Sequence, residues 1–356
     1  MSSFEYVFPS IRGHQGGREY FISMCPLRLI PKIFLFDEDE LRPEVRAQRI
    51  LNRSRVPEIA SYMLTNREDY VFSALTASID GVATFKPGGG PTGDLGTLHV
   101  PMDARFLIND GQHRRAAIEE AMRVDPTLAD ETIAIVFFLD QGLERSQQMF
   151  ADLNRHAVKP SRSLGLLYDH RSEMASIARH LCTGVDCFKG LVETEKTTLT
   201  PRSKKLFTLS ALYSATGDFL VNSQNLSPED QISLATRFWG AVASAIPEWD
   251  LVARSRLTSG DVRAEFLHSH AIGLQAIARA GADMLVLFPN DWEERITGVG
   301  DIDWRRSNME LWEGRALLGG RVSKARQNML LTTMVVKEQL GLPTESEKQS
   351  LGTGSK

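Results

Sequence analysis

The sequence predicts a mixed α/β N-terminal domain followed by a helical C-terminal domain. Strand-like and helix-like segments follow one another up to Leu153, strand signals thin out beyond Lys159, and amphipathic helical patterns then dominate. Of the 356 residues, 42% are hydrophobic and 24% charged, which is ordinary for a globular protein whose core needs no disulfides. The length favours two domains, or one domain with a large helical extension.

Residues 39–64 read as helical. Pro57 splits this stretch, so a second helix starts near Glu58 with Ile59, Met63 and Leu64 on its apolar side. Strand-like segments at 70–79 and 98–100 flank residues 85–96, FKPGGGPTGDLG, whose five glycines and two prolines mark a hairpin-type connection. No Gly-Lys-Ser/Thr follows, which argues against a P-loop. Residues 105–108, 112–123, 133–139 and 143–153 then alternate strand, helix, strand, helix. The segment 133–139 is apolar throughout, as a strand covered on both faces would be, and the spacing predicts a right-handed βαβ unit. In the last helix of this series Leu143, Phe150 and Leu153 form the expected core face.

Beyond Lys159 the helical segments lie at 173–182, 206–219, 228–246, 265–279 and 322–340. The implied organisation is a domain over 1–160, a helical domain over 161–342 and a polar, disordered tail over 343–356. No apolar run reaches the ~20 residues of a membrane span, and the N-terminus lacks the basic-then-apolar pattern of a signal peptide. Three cysteines, Cys25, Cys182 and Cys187, cannot form a disulfide framework, and a reducing cytoplasm is expected. Forty-one basic against 45 acidic residues leave a net charge of −4, so any nucleic-acid contact must come from a local patch.

The most informative segment runs from Asn109 through Asp-Gly-Gln-His-Arg-Arg to Ile118, where a strand gives way to a helix. Asn109 or Asp110 can cap that helix, and Gly111 permits close backbone approach. His113, Arg114 and Arg115 sit in the first turn, where the helix dipole disfavours cations. Either an anion compensates them, with first-turn N–H groups and guanidinium forks converging on a phosphate, or an arginine pairs with an acidic neighbour and staples helix to sheet. Helical spacing groups Arg114 with Ala117, Ile118 and Ala121 on the sheet side and leaves Arg115 more peripheral.

Two basic clusters are candidate DNA contacts. Arg42, Arg46, Arg49 and Arg53 form one stripe at helical spacing, although a solvated face is the usual explanation for such stripes. Arg202, Lys204 and Lys205 adjoin Thr197, Thr198 and Thr200 before a helix, where an exposed basic loop is equally ordinary. Cys182 and Cys187 with His180 and Asp186 look like half a zinc site, but no second pair exists, and His268 and His270 cannot share a helix face. No metal site is predicted. Cys25 is either an exposed redox-sensitive thiol or, by default, an inert one.

Asp110-Gly-Gln-His-Arg114 resembles the signature of the DGQHR-domain family. Its wider form, Gly111-x-x-Arg114-x-x-Ala117, is similar to the phosphate-contacting motif of the ParB/sulfiredoxin-like superfamily. The resemblance continues through Gln48, Arg49, Arg55, Val56, Pro57, Ile59 and Tyr62, through residues 150–154 with Lys159 and Pro160, and into Trp304 and residues 320–328. Over most of the chain the sequence resembles the DndB family, associated with DNA phosphorothioation gene clusters and their transcriptional control. Sulfiredoxin chemistry needs a cysteine between the motif's glycine and histidine. Gln112 stands there, so sulfinic-acid repair is excluded.

The resemblance implies a ParB/sulfiredoxin-like N-terminal domain that binds a nucleoside triphosphate, ATP or another, with Mg²⁺ as a candidate companion. Gly111, Gln112, His113 and Arg114 would bind it, and Asn154 would close the pocket, although a left-handed helix cap also explains an Asn there. The leading function is a DNA-binding transcriptional regulator of a DNA phosphorothioate modification system. The alternative is a slow NTPase, coupled to DNA nicking, with Asp110 or Gln112 orienting water. A protein-interaction subunit with a merely structural motif is a third. Expected partners are duplex DNA, other phosphorothioation proteins and further copies of the chain, with no membrane.

Overall fold

Alternating burial along β1 (Glu5–Gln15) and β2 (Arg18–Pro26) places Phe8, Ser10, Phe21, Ser23 and Cys25 on one side of a long antiparallel hairpin. Its turn is Gly16-Gly17, with both residues at positive φ (58° and 75°), the conformation that two-residue hairpin loops require. The computed structural model describes residues 4–34, 54–89, 93–139, 148–149, 151–153 and 160–343. The chain separates into two compact units, Met1–Val158 and Lys159–Lys356.

In the first unit the hairpin is the centre of a seven-stranded sheet. Its other strands are β3 (Leu75–Asp80), β4 (Thr84–Pro87), β5 (Leu95–Pro101), β6 (Arg105–Asp110) and β7 (Thr132–Leu139), in the order β4-β5-β1-β2-β7-β3-β6. The glycine-rich connection joins β4 to β5 as a hairpin, but the strand expected over 70–79 is not its partner, because β3 pairs with β6 and β7. Neighbours are antiparallel except β3 and β7. The expected βαβ unit is therefore absent: β3 lies between β6 and β7, antiparallel to the first and parallel to the second, so β6 and β7 run in opposite directions. Apolar patterning carries no information on strand direction. The direction of β7 is set by its start, where Leu27 N–H at the end of β2 donates to the Glu131 carbonyl at 2.8 Å. Nor is β7 covered on both faces: Ile133, Ile135 and Phe137 are buried while Ala134, Val136 and Phe138 are only half-buried.

Helix α1 (Arg55–Thr65) begins before Pro57, which occupies the first turn where a missing N–H costs nothing, and it buries Val56, Ala60 and Met63. Ile59 and Leu64, expected on the apolar side, are partly buried against the same core. Helix α2 (Gln112–Val124) packs beside α1, over a core in which Phe8, Phe106 and Phe137 meet at ring centroid distances of 5.3–6.4 Å. Leu153, expected in the core, is exposed.

The second unit is helical. Its main helices are α3 (Glu173–Gly184), α4 (Leu209–Phe219), α5 (Pro228–Ala245), α6 (Ser259–Glu265), α7 (Ala271–Leu287) and α8 (Arg326–Gln339). Ser172, Thr208, Ser227 and Thr258 cap α3 to α6, each accepting from an N–H inside the first turn. The central α7 approaches closely through Gly281, where a Cβ would lie 2.3 Å from the Phe238 ring. The helix expected over 265–279 is broken between Glu265 and Ala271, because Leu267 N–H turns away to the Trp304 carbonyl. Two short strands, β8 (Val192–Glu193) and β9 (Phe207–Thr208), pair in parallel and close the loop between them. No helix among the described residues is long and apolar enough to cross a membrane.

The break puts His268 in the core. Its Nδ1 accepts from Trp249 Nε1 at 2.9 Å, and Nε2 lies 3.6 Å from Glu248. Burial outweighs Glu248 and pulls the imidazole pKa below its ordinary value, so it is neutral in the fold. The unfolded chain takes up a proton near pH ~6.5 and the folded chain does not, so stability falls as pH drops through that range. Urea unfolding between about pH 8 and about pH 6 should show this fall, and His268→Gln should flatten it.

Candidate functional site

The Asp110–Arg115 segment is built where β6 hands the chain to α2. Gly111 is the N-cap of α2 at φ 104°, a left-handed conformation that favours glycine. A side chain there would also collide with Leu75, whose Cδ2 lies 2.4 Å from the Cβ position. No side chain caps the helix, contrary to the roles expected of Asn109 and Asp110. Asn109 is instead fully buried, with Nδ2 donating to Ser78 Oγ at 2.7 Å and lying 3.1 Å from Met149 Sδ. It breaks the β6 alternation: Phe106 and Ile108 face the core, and Asn109, at the register shift opposite Thr76 and Ala77, is buried on the other face of the sheet.

Arg114 Nη2 donates to Asp110 Oδ2 at 2.7 Å, while Nη1 donates to the carbonyls of Ser73 at 2.5 Å and Ala74 at 3.1 Å and to the Ser73 hydroxyl. This is the arrangement that the staple reading requires. Arg115, expected at the periphery, is the buried one. It reaches the Phe34 carbonyl at 3.1 Å and the Pro31 carbonyl at 3.3 Å, and pairs with Glu119. The helix is rolled slightly from the sequence expectation, so Arg115 shares the buried side with Ala117, Ile118 and Ala121.

His113 is half-buried. Desolvation first, and then the charge of Arg55 on α1, holds its imidazole below the ordinary pKa against the opposing pull of Asp110. It is therefore a neutral ring at neutral pH. Gln112 Nε2 is buried without a hydrogen-bond partner among the described residues. Around the motif the fold thus gathers an uncapped helix start, an unsatisfied amide donor and the cation Arg55. Ser73 and Arg55 were invisible as partners in sequence, since only the packing of α1 and the start of β3 brings them here. Asn154 lies outside the described residues, as do Arg42, Arg46, Arg49 and Arg53. Asp152 is exposed and accepts from Gln148 Nε2 at 2.8 Å.

The second basic cluster occupies the loop between β8 and β9. Arg202 and Lys204 are exposed, and Lys205 Nζ donates to the Gly190 carbonyl at 2.8 Å. The loop backbone is gathered by a residue that the sequence did not single out. Arg263, 9% exposed on α6, donates to the carbonyls of Thr200 at 2.8 Å, Pro201 at 3.2 Å, Ser203 at 3.3 Å and Lys205. Gly260, one turn earlier, lets α6 touch this loop: a Cβ would meet the Pro201 carbonyl at 2.5 Å.

Cys25 faces the core, so the exposed, redox-sensitive alternative does not apply. Burial pushes its thiol up to about 12 and that of Cys182 to about 11, and raises Cys187 as well. All three are poor nucleophiles.

Two substitutions test the staple. Arg114→Ala strands the Ser73 and Ala74 carbonyls and the Asp110 carboxylate and should cost roughly 2–3 kcal/mol of stability. Gly111→Ala forces both a disfavoured φ and a clash and should cost more than about 1 kcal/mol. Urea midpoints at neutral pH measure both, and wild-type midpoints would show that the contacts carry no weight.

No curated protein and no solved structure shows a significant match to the chain. One family model does, that of DndB, described as DNA-sulfur modification-associated, and it spans residues 8–343. That span takes in the motif, both sides of the sheet-to-helix junction and almost all of the helical unit. By that match the chain belongs to the DndB family of DNA-sulfur modification-associated proteins.

Proposed function

We propose that the protein is a DNA-binding transcriptional regulator of a DNA phosphorothioate modification system, with a nucleoside triphosphate bound at the start of α2. The observation that carries this reading is the buried, unpartnered Gln112 amide at a helix start that no side chain caps, in a chain whose family is linked to DNA sulfur modification. A helix start that no side chain caps, with its positive dipole end, suits a phosphate. The buried Gln112 amide is a further donor awaiting an acceptor. His113, neutral, offers a hydrogen bond to phosphate or ribose rather than a charge. Arg114 is assigned a positioning role, because Asp110, Ser73 and Ala74 already occupy most of its donors.

A magnesium ion, where present, would neutralise phosphate charge. Asp110 is not free to hold it without releasing Arg114. The superfamily likeness to ParB is part of this proposal, as is a role for Asn154 in closing the pocket. DNA contact falls to Arg202 and Lys204, which stand exposed on a loop whose backbone is fixed from behind by Arg263.

Two measurements test the reading. In calorimetry with ATP and CTP, Gln112→Ala should weaken binding about tenfold, the worth of one or two buried hydrogen bonds. In gel shifts across a salt series, Arg202→Glu with Lys204→Glu should weaken binding to all duplex sequences alike and reduce the salt slope by about 2. Unchanged nucleotide affinity would remove the pocket from α2, and an unchanged slope would make the loop ordinary surface.

A further inference from the structure

Within the second unit, a cleft of about 440 Å³ opens between β9, α4, α6 and the segment before α7. Its lining includes Arg263, Arg306 and Lys324 and no carboxylate. The two arginines are satisfied only by backbone carbonyls: Arg263 by the loop described above, and Arg306 by Ala264 at 3.3 Å and Gly320 at 3.0 Å. Lys324 is exposed and has no hydrogen-bond partner among the described residues. His270 lies among them, and after burial it is their three charges that pull its imidazole pKa down. Ser269, only 4% exposed, contributes a buried hydroxyl with no hydrogen-bond partner to the same wall. The lining also carries apolar groups, Leu199 and Phe207 among them.

Carbonyl dipoles satisfy the N–H groups of an arginine but leave its net charge uncancelled. Three like charges facing one concave space raise its potential and favour an anion within it. An unsatisfied hydroxyl and a guanidinium edge match phosphate oxygens, and the apolar wall suits the body of an ester. We propose that this cleft binds a phosphate ester, with Arg306, Lys324 and the Ser269 hydroxyl as its contacts and Arg263 holding the loop that forms its rim. The site is separate from the start of α2 and does not depend on the reading given for it.

Calorimetry with inorganic phosphate, pyrophosphate and a nucleoside monophosphate, run on the full chain, tests this. Binding should weaken with salt, and Arg306→Met and Lys324→Met should each weaken it about tenfold. The losses caused by Arg306→Met and Lys324→Met should persist in a Gln112→Ala background, where the site proposed at α2 is weakened, which separates the two sites. Adding a short duplex distinguishes the sources: displacement of phosphate identifies a DNA backbone phosphate as the occupant, and its absence a free ester. Lys324 is exposed, so its variant reports even where Arg306→Met disturbs folding. No binding of any probe to the wild type, or unchanged affinity in Lys324→Met, would overturn the proposal.

Discussion

The N-terminal unit turns on the junction at which Arg114 binds back to the approach of β3. Gly111 lies against the Leu75 side chain, and the Arg114 guanidinium grips the carbonyls of the two preceding residues. One short motif therefore fixes the start of α2 against the start of β3. β3 is the strand that joins the β6 edge to the rest of the sheet, and it makes the parallel pairing with β7. Asp110, the last residue of β6, completes the clasp by neutralising the guanidinium. Cations placed against the helix dipole are tolerated because an acid and two carbonyls meet them, which costs the chain no external ligand.

The same device recurs. Arg115, Arg263 and Arg306 each spend donors on backbone carbonyls of segments that no regular ladder satisfies. A planar guanidinium can collect several carbonyls at once, which a lysine ammonium cannot do in one plane. Where a carboxylate is also present, as with Glu119 beside Arg115, the charge is cancelled and the result is a structural clamp. Where none is present, a field remains, and that difference separates the scaffold arginines of the first unit from those lining the cleft of the second.

Much of this architecture was legible in sequence. Hydrophobic periodicity located α2, α3 and α5, and the glycine-rich stretch marked a hairpin. Strand direction was not legible, because alternation reports which face is buried and nothing about the partner. The β1–β2 hairpin does carry a signal, Gly16-Gly17 between alternating segments. The motif was legible as a local anomaly, but its resolution was not. Ser73 and Ala74 carry no side-chain signature that announces an arginine at their carbonyls. The cleft of the second unit was illegible for the same reason: Arg263, Arg306 and Lys324 are scattered in sequence, and only the break before α7 brings them together.

That hairpin has a consequence for how the chain acquires its fold. β1 and β2 close locally, yet both of their outer edges await strands made much later, β5 for one and β7 for the other. Until residues 132–139 leave the ribosome, β2 presents a bare ladder with Phe21 and Cys25 on its inward face. Long loops must then close around it, each at an entropic cost that grows slowly with length. During synthesis the N-terminal unit is therefore an open-edged ribbon for most of its length, and the arrival of β7 converts it into a closed core.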